Sequence, residues 1–285
     1  MNLVLHPVTK KIVDDFRKNP SHGLLLSAQS GSGKGTIAKY IISEIFNIEL
    51  DKVSNHPNIK IVEPEKNAIT IEQIREVNNF LKLKTSGKTD FKRAVIFENI
   101  ELMGIEAQNA FLKNLEEPPK DTIIILTCSN PKAILSTITS RVQQINILPV
   151  LKTDVLKYFG DKYSTNKIER AYHLSEGSIG LLSAVLNEDS EHPLVQQIDI
   201  AKDIYRKNVF ERLNLVDEIA KKGSLNDFLL ALELVCHAAL LNAVNKNDKS
   251  IKSWTERSKT ILQTQQFYLN NPNTKLLLTN LFIHL

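Results

Sequence analysis

Over the first half of the chain, short apolar runs alternate with stretches whose apolar residues recur every three or four positions. The runs cover 24–27, 59–62, 94–97, 123–127 and 144–147. Each is four or five residues long and rich in Ile, Leu or Val, the pattern of a strand buried on both faces. Between them, Ile71, Ile74, Val77, Phe80 and Leu81 share one helical face. Ala107, Ala110, Phe111 and Leu115 share another, which stops at Pro118-Pro119. Strand and helix in alternation predict a parallel sheet with helices on both faces. Beyond residue 149 the strand signal disappears. Residues 151–186 read as several short helices with a turn at Gly177-Ser178. Residues 192–285 read as longer helices, broken near Gly223-Ser224, near 245–248 and at Asn271-Pro272. The expected organisation is an α/β domain over 1–150, a small helical domain over 151–190 and an all-α domain over 191–285.

Composition narrows the class without naming a function. The 285 residues carry 36 Lys and Arg against 32 Asp and Glu, a formal charge of +4, with 42% hydrophobic residues. A disordered, collagen-like or coiled-coil chain is excluded. The mild basic excess permits contact with nucleic acid without demanding it. Cys128 and Cys236 lie far apart and match no paired metal spacing, so a disulfide framework is excluded and a reducing compartment is expected. The first residues lack the apolar core of a signal peptide, and no uninterrupted run of about 18 apolar residues occurs. A cytoplasmic location without a membrane span is therefore expected.

The run at 24–27 leads into Ala28-Gln29-Ser30-Gly31-Ser32-Gly33-Lys34-Gly35-Thr36 and then a helical stretch. Strand, glycine-rich turn, lysine, hydroxyl and helix form the context of a phosphate-binding loop. Glycines let backbone N–H groups point at phosphate oxygens, the helix N-terminus adds partial positive charge, and Lys34 adds a full one. Ser30, Gly31, Ser32, Gly33, Lys34, Gly35 and Thr36 are the candidate nucleotide-binding residues. Two positions depart from the usual pattern. Ala28 stands where glycine is usual, and its methyl is expected to strain a positive-φ position. Gly35 stands where a Ser or Thr hydroxyl normally ligates Mg²⁺, and Thr36 points about 100° further around the helix. The loop alone leaves open whether nucleotide is hydrolysed, transferred or only held.

Residues 94–103 read AVIFENIELM: a buried strand ending in an acid, Glu98, placed to hold Mg²⁺ or its water. Residues 106–119, EAQNAFLKNLEEPP, resemble the EAQNALLKxLEEPP signature of clamp-loader AAA+ subunits. Residues 122–143 resemble the same family's sensor 1 strand, with Asn130 at its polar position, and its Ser-Arg-Cys motif, here Ser140-Arg141-Val142. His56-Pro57-Asn58, the segment 69–75 and the final helix over 270–285 are also similar to family segments, in family order.

The resemblance implies an AAA+ P-loop domain, a helical lid and a C-terminal collar that assembles subunits into a pentameric loader. Such a loader uses ATP to place a sliding clamp on primed DNA during replication. It also implies that Arg141 is an arginine finger acting in trans on a neighbour's ATP, a task suited to a planar, always-charged guanidinium. The implied cofactor is ATP or ADP, with Mg²⁺ at Thr36 and Glu98. The implied partners are the other loader subunits, the clamp and, through the complex, primer-template DNA. Three departures point to weak or absent ATPase activity: Gly35, Asn99 in place of the glutamate that activates water, and Leu181 in place of the lid's sensor 2 arginine. The family's cysteine-rich zinc module is missing, so no zinc is expected. The lysine-rich segment 82–92 is a candidate DNA contact. The alternatives are an ATP-hydrolysing AAA+ motor and, on the string GSGKGT, a small-molecule kinase.

Overall fold

The structure is a computed structural model, described here for residues 3–65, 68–83, 91–221, 225–268 and 273–285. Most of the lysine-rich segment 82–92 and the expected breaks at Gly223-Ser224 and Asn271-Pro272 lie outside the described residues. The chain divides into two compact units, Met1–Leu151 and Lys152–Leu285.

The first unit alternates α1 (Pro7–Lys18), β1 (Gly23–Ser27), α2 (Lys34–Phe46), β2 (Ile59–Val62), α3 (Ile71–Lys82), β3 (Arg93–Phe97), α4 (Ile105–Glu116), β4 (Thr122–Cys128), α5 (Ser136–Thr139) and β5 (Gln143–Asn146). The five strands form one parallel sheet in the order β2-β3-β4-β1-β5. Alternate side chains divide between two cores, as the period of a pleated strand requires. Leu25, Val95, Phe97, Ile124 and Leu126 pack with Ile74 and Val77 of α3 and with Ala107, Phe111 and Leu115 of α4. Leu24, Leu26, Ala94, Ile96, Ile123 and Ile125 pack with α1 and α2 on the opposite face. Phe97 and Phe111 meet edge to face with ring centroids 4.7 Å apart.

Several motif positions turn out to be structural. Thr70 and Gln73 form a reciprocal capping box at the start of α3, at 3.0 and 3.3 Å. Gln108 is buried; its amide donates to the carbonyls of Met103 and Ala133 and its oxygen accepts from the N–H of Leu135. It thus ties α4 to the segment between β4 and α5. β5 differs from expectation. Only Ile145 is buried among its residues, because the strand is a sheet edge with β1 as its one neighbour.

The second unit is all helical: α6 (Lys152–Phe159), α7 (Thr165–Ser175), α8 (Ile179–Leu186), α9 (Pro193–Arg206), α10 (Val209–Asn214), α11 (Val216–Lys221), α12 (Leu225–Asn245), α13 (Ile251–Tyr268) and α14 (Thr274–His284). Its core gathers Leu181, Ile198, Ala201, Phe228, Leu232, Ile261, Leu281 and Phe282. The turn at Gly177-Ser178 follows Glu176, which caps α7 in the left-handed conformation. α12 is long and apolar enough to cross a membrane by length and composition, with a mean hydropathy of 1.7, although no uninterrupted apolar run reaches that length. Its apolar face packs against α9 and α13, and its Glu233 accepts from Gln265 at 2.8 Å, the arrangement of a core helix.

Candidate functional site

The phosphate loop joins the end of β1 to α2 at the C-terminal end of the sheet, where ligands bind in open α/β sheets. Gly31 and Gly33 adopt φ of 79° and 81°, a region open to glycine and costly for most other residues. Ala28 is not left-handed; its N–H continues the ladder by donating to the carbonyl of Cys128 at 3.2 Å. The strain expected from its methyl is therefore absent. Ser32 is buried, and its hydroxyl has no hydrogen-bond partner among the described residues.

Lys34 is buried at the first turn of α2. Its ammonium donates to the carbonyls of Ala28 and Gln29 and to the hydroxyl of Ser129, each at 3.0 Å. Ser129 follows β4 directly, and its N–H donates to the Glu101 carboxylate at 2.7 Å. Glu101 sits in a short 3₁₀ turn after β3, and its second oxygen is buried with no partner among the described residues. Burial pushes its carboxyl above the usual range, opposed by the Ser129 N–H, the charge of Lys34 and the Ser129 hydroxyl. The Cys128 thiol is pushed up to about 12, first by burial and then by Glu101.

Glu98 follows β3 directly and lies over Gly35. A Cβ at position 35 would meet the Glu98 Oε1 at 2.8 Å, so the carboxylate occupies the space from which a side chain at 35 would start. Glu98 also pairs with Lys39 at 3.6 Å. Thr36 is exposed on α2. The residues therefore fit a polyphosphate: a glycine cradle, a helix N-terminus, an unpartnered buried hydroxyl and a lysine. For Mg²⁺ they offer the one carboxylate of Glu98. Among the described residues no three His, Cys, Asp or Glu side chains gather as a metal site. Asn99 is left-handed at φ 55°, a conformation asparagine tolerates, and its N–H donates to the Thr127 hydroxyl at 3.1 Å. The Asn130 side chain accepts from the N–H of Lys132 at 3.2 Å, capping the next turn; the side chain on Lys34 is its neighbour Ser129.

Arg141 lies at the other end of the sheet. It precedes β5, whose Gln143 is in register with Leu24 near the start of β1, whereas the phosphate loop follows the end of β1. The five residues of β1 separate the two ends by roughly 16 Å at strand rise. Its guanidinium donates to the Thr137 carbonyl at 2.8 Å and pairs with Glu116 at 2.9 Å, with 36% of its side chain exposed. Leu181, at the sensor 2 position of the resemblance, is fully buried in the core of the second unit. Glu101, Ser129 and Glu116 were not singled out by sequence. Glu101 carries one local signal, a charge inside an otherwise apolar turn.

A family model described as DNA polymerase III, delta subunit, matches residues 7–150. The delta' subunit of DNA polymerase III from Pseudomonas aeruginosa is 30% identical over 150 residues, 47% of this chain and 45% of that protein. The delta' subunit from Bacillus subtilis is 28% identical over 164 residues, 53% of this chain and 49% of that protein. The chain spans about half the length of these curated relatives. Among solved structures, a DNA polymerase III gamma subunit-related protein from Thermotoga maritima superposes with a TM-score of 0.54 at 20% identity, covering 95% of this chain and 98% of that one. That likeness concerns the fold. The parallel sheet, the loop after β1 and the helical second unit make up an AAA+ type of fold, and the family match over residues 7–150 makes the chain a member of the DNA polymerase III delta-subunit family, a clamp-loader delta-prime-like protein.

Proposed function

We propose that this chain is a delta-prime-like subunit of a DNA polymerase III clamp loader, acting as a stator that presents Arg141 to a neighbouring subunit's ATP. The observation that supports this is the position of Arg141, about one strand length from the chain's own phosphate loop and on the surface. An arginine side chain cannot span that distance, so a triphosphate it serves belongs to another chain. The partners on this reading are the other subunits of a pentameric loader, the sliding clamp and, through the complex, primer-template DNA in the cytoplasm.

The chain's own loop would hold ATP or ADP through the backbone of 30–36 and Lys34, with Glu98 facing the metal that accompanies the phosphates. ATP bound there would supply the electrophilic phosphorus and the leaving group. The chain meets it with little catalytic apparatus. Asn99 cannot accept a proton from water, and loss of a general base typically costs about 10²–10⁴-fold. Leu181 brings no charge, and Gly35 brings no hydroxyl.

The test is ATP turnover by the reconstituted loader carrying R141A. Assembly is expected to persist while hydrolysis at the adjacent site falls by about 10³-fold, the scale of arginine fingers in related NTPases. Full turnover in an intact complex would remove the finger assignment. The isolated chain is expected to turn over well below about 1 s⁻¹; a rate at or above that value contradicts the stator role.

A further inference from the structure

Behind the phosphate-loop lysine stands a carboxylate that the stator role does not use. Three elements converge there: α2 brings Lys34, the end of β4 brings Ser129, and the turn after β3 brings Glu101. Ser129 bridges the other two. Its hydroxyl accepts from Lys34 at 3.0 Å, and its N–H donates to Glu101 at 2.7 Å. Lys34 is further drawn onto the carbonyls of Ala28 and Gln29, both at 3.0 Å. An ammonium has three donors, so a phosphate oxygen arriving at this one must displace an oxygen already there. It must also bring its negative charge to a site with a carboxylate one hydroxyl away.

We propose that Glu101 is a positioning residue that, through Ser129, holds Lys34 back on the loop and weakens its grip on polyphosphates. The loop is then fully formed yet binds nucleoside di- and triphosphates poorly. This rests on the loop being a polyphosphate site at all, as set out above. The cost to a ligand has two parts: the displaced acceptor and the repulsion by Glu101. Neutralising Glu101 removes the second and loosens the first, because a neutral amide draws Ser129 less strongly.

The experiment is a titration of the full-length chain with a fluorescent ADP and a fluorescent ATP. Wild type is compared with E101Q, E101D, S129A and K34A, and with K34A combined with E101Q. E101Q is expected to bind about tenfold tighter than wild type. E101D, which keeps the charge, stays near wild type. S129A tightens severalfold, and adding K34A abolishes the gain of E101Q. A gain in affinity cannot come from damage to the fold, so the result separates positioning from a merely structural role. If E101Q does not fold, S129A decides: tightening supports the proposal and unchanged affinity overturns it. If wild type binds through Lys34 and neither E101Q nor S129A binds tighter, this inference fails while the phosphate-loop reading stands. If no variant binds at millimolar nucleotide, both fail.

Discussion

At the C-terminal end of β1, Lys34 is buried and directs its donors to Ala28, Gln29 and Ser129. Before β5, at the opposite end of the sheet, Arg141 stays about one third exposed and is steadied from the side by Thr137 and Glu116. Both are cations at the ends of one parallel sheet, yet their surroundings differ in kind. A buried ammonium amid its own chain's oxygens serves the fold first and a ligand second. Two of the five N–H donors of the Arg141 guanidinium meet partners among the described residues. Fixed orientation with unspent donors is what an electrostatic group working on another chain needs, because it removes the ordering cost at the moment of contact. The contrast teaches that a complete-looking phosphate loop is weak support for hydrolysis. The direction in which each cation is aimed carries more.

The contrast can be tested at each end. The largest effect is expected from R141K in the reconstituted loader. A lysine keeps the charge but not the fork, so adjacent-site hydrolysis should stay depressed by about 10³-fold, as for R141A. Wild-type turnover with lysine would mean that charge alone matters there and that orientation is irrelevant.

At the lysine end the next effect concerns stability. The Glu101 carboxyl is raised by burial above its ordinary value of 4.5, so the folded chain binds more protons than the unfolded chain between that value and the raised one. Stability attributable to this group is therefore lost as pH rises through that window. E101Q removes the dependence. Its melting temperature should match wild type below the ordinary carboxyl range and exceed it at neutral pH. Thermal melts from about pH 4 to about pH 8 check this, and a variant less stable at neutral pH would show that the ionised carboxylate is net favourable where it sits.

The smallest effect is expected from E116Q. The Arg141–Glu116 pair is 36% and 49% exposed, and such pairs contribute about 0–1 kcal/mol, so urea unfolding should barely move. Turnover of the reconstituted loader should nonetheless fall severalfold in kcat with little change in KM, because the guanidinium loses one of its two tethers. An unchanged kcat would leave Glu116 as a surface charge and nothing more.

Much of the first unit is legible in the residues themselves. The alternation of buried runs with three-to-four periodicity marks its sheet and flanking helices, and Gly31 and Gly33 mark turns that require positive φ. Motif positions such as Gln73 and Gln108 are visible as positions, but what they do is not. Gln73 proves to be half of a capping box, and Gln108 links α4 to a loop 25 residues further on. Arg93 opens β3 in sequence, yet its guanidinium reaches back to the carbonyls of Leu81 and Leu83 at the end of α3. The run at 144–147 reads as a buried strand, but edge pairing leaves Gln143, Gln144 and Asn146 exposed. The apolar length of α12 does not distinguish a core helix from a spanning one; its packing does.

Caps, glycine turns and the periodicity of helices arise from interactions within a few residues, so the chain announces them locally. The identity of the group behind Lys34 follows from the strand order β2-β3-β4-β1-β5, and the end of the sheet that receives Arg141 follows from the parallel pairing of β1 and β5. Parallel strands meet only through long crossovers, which is why Ser129 touches Lys34 across 95 positions and Glu101 across 28. No local pattern records such a meeting, since it is set by the register in which all five strands bury their faces together.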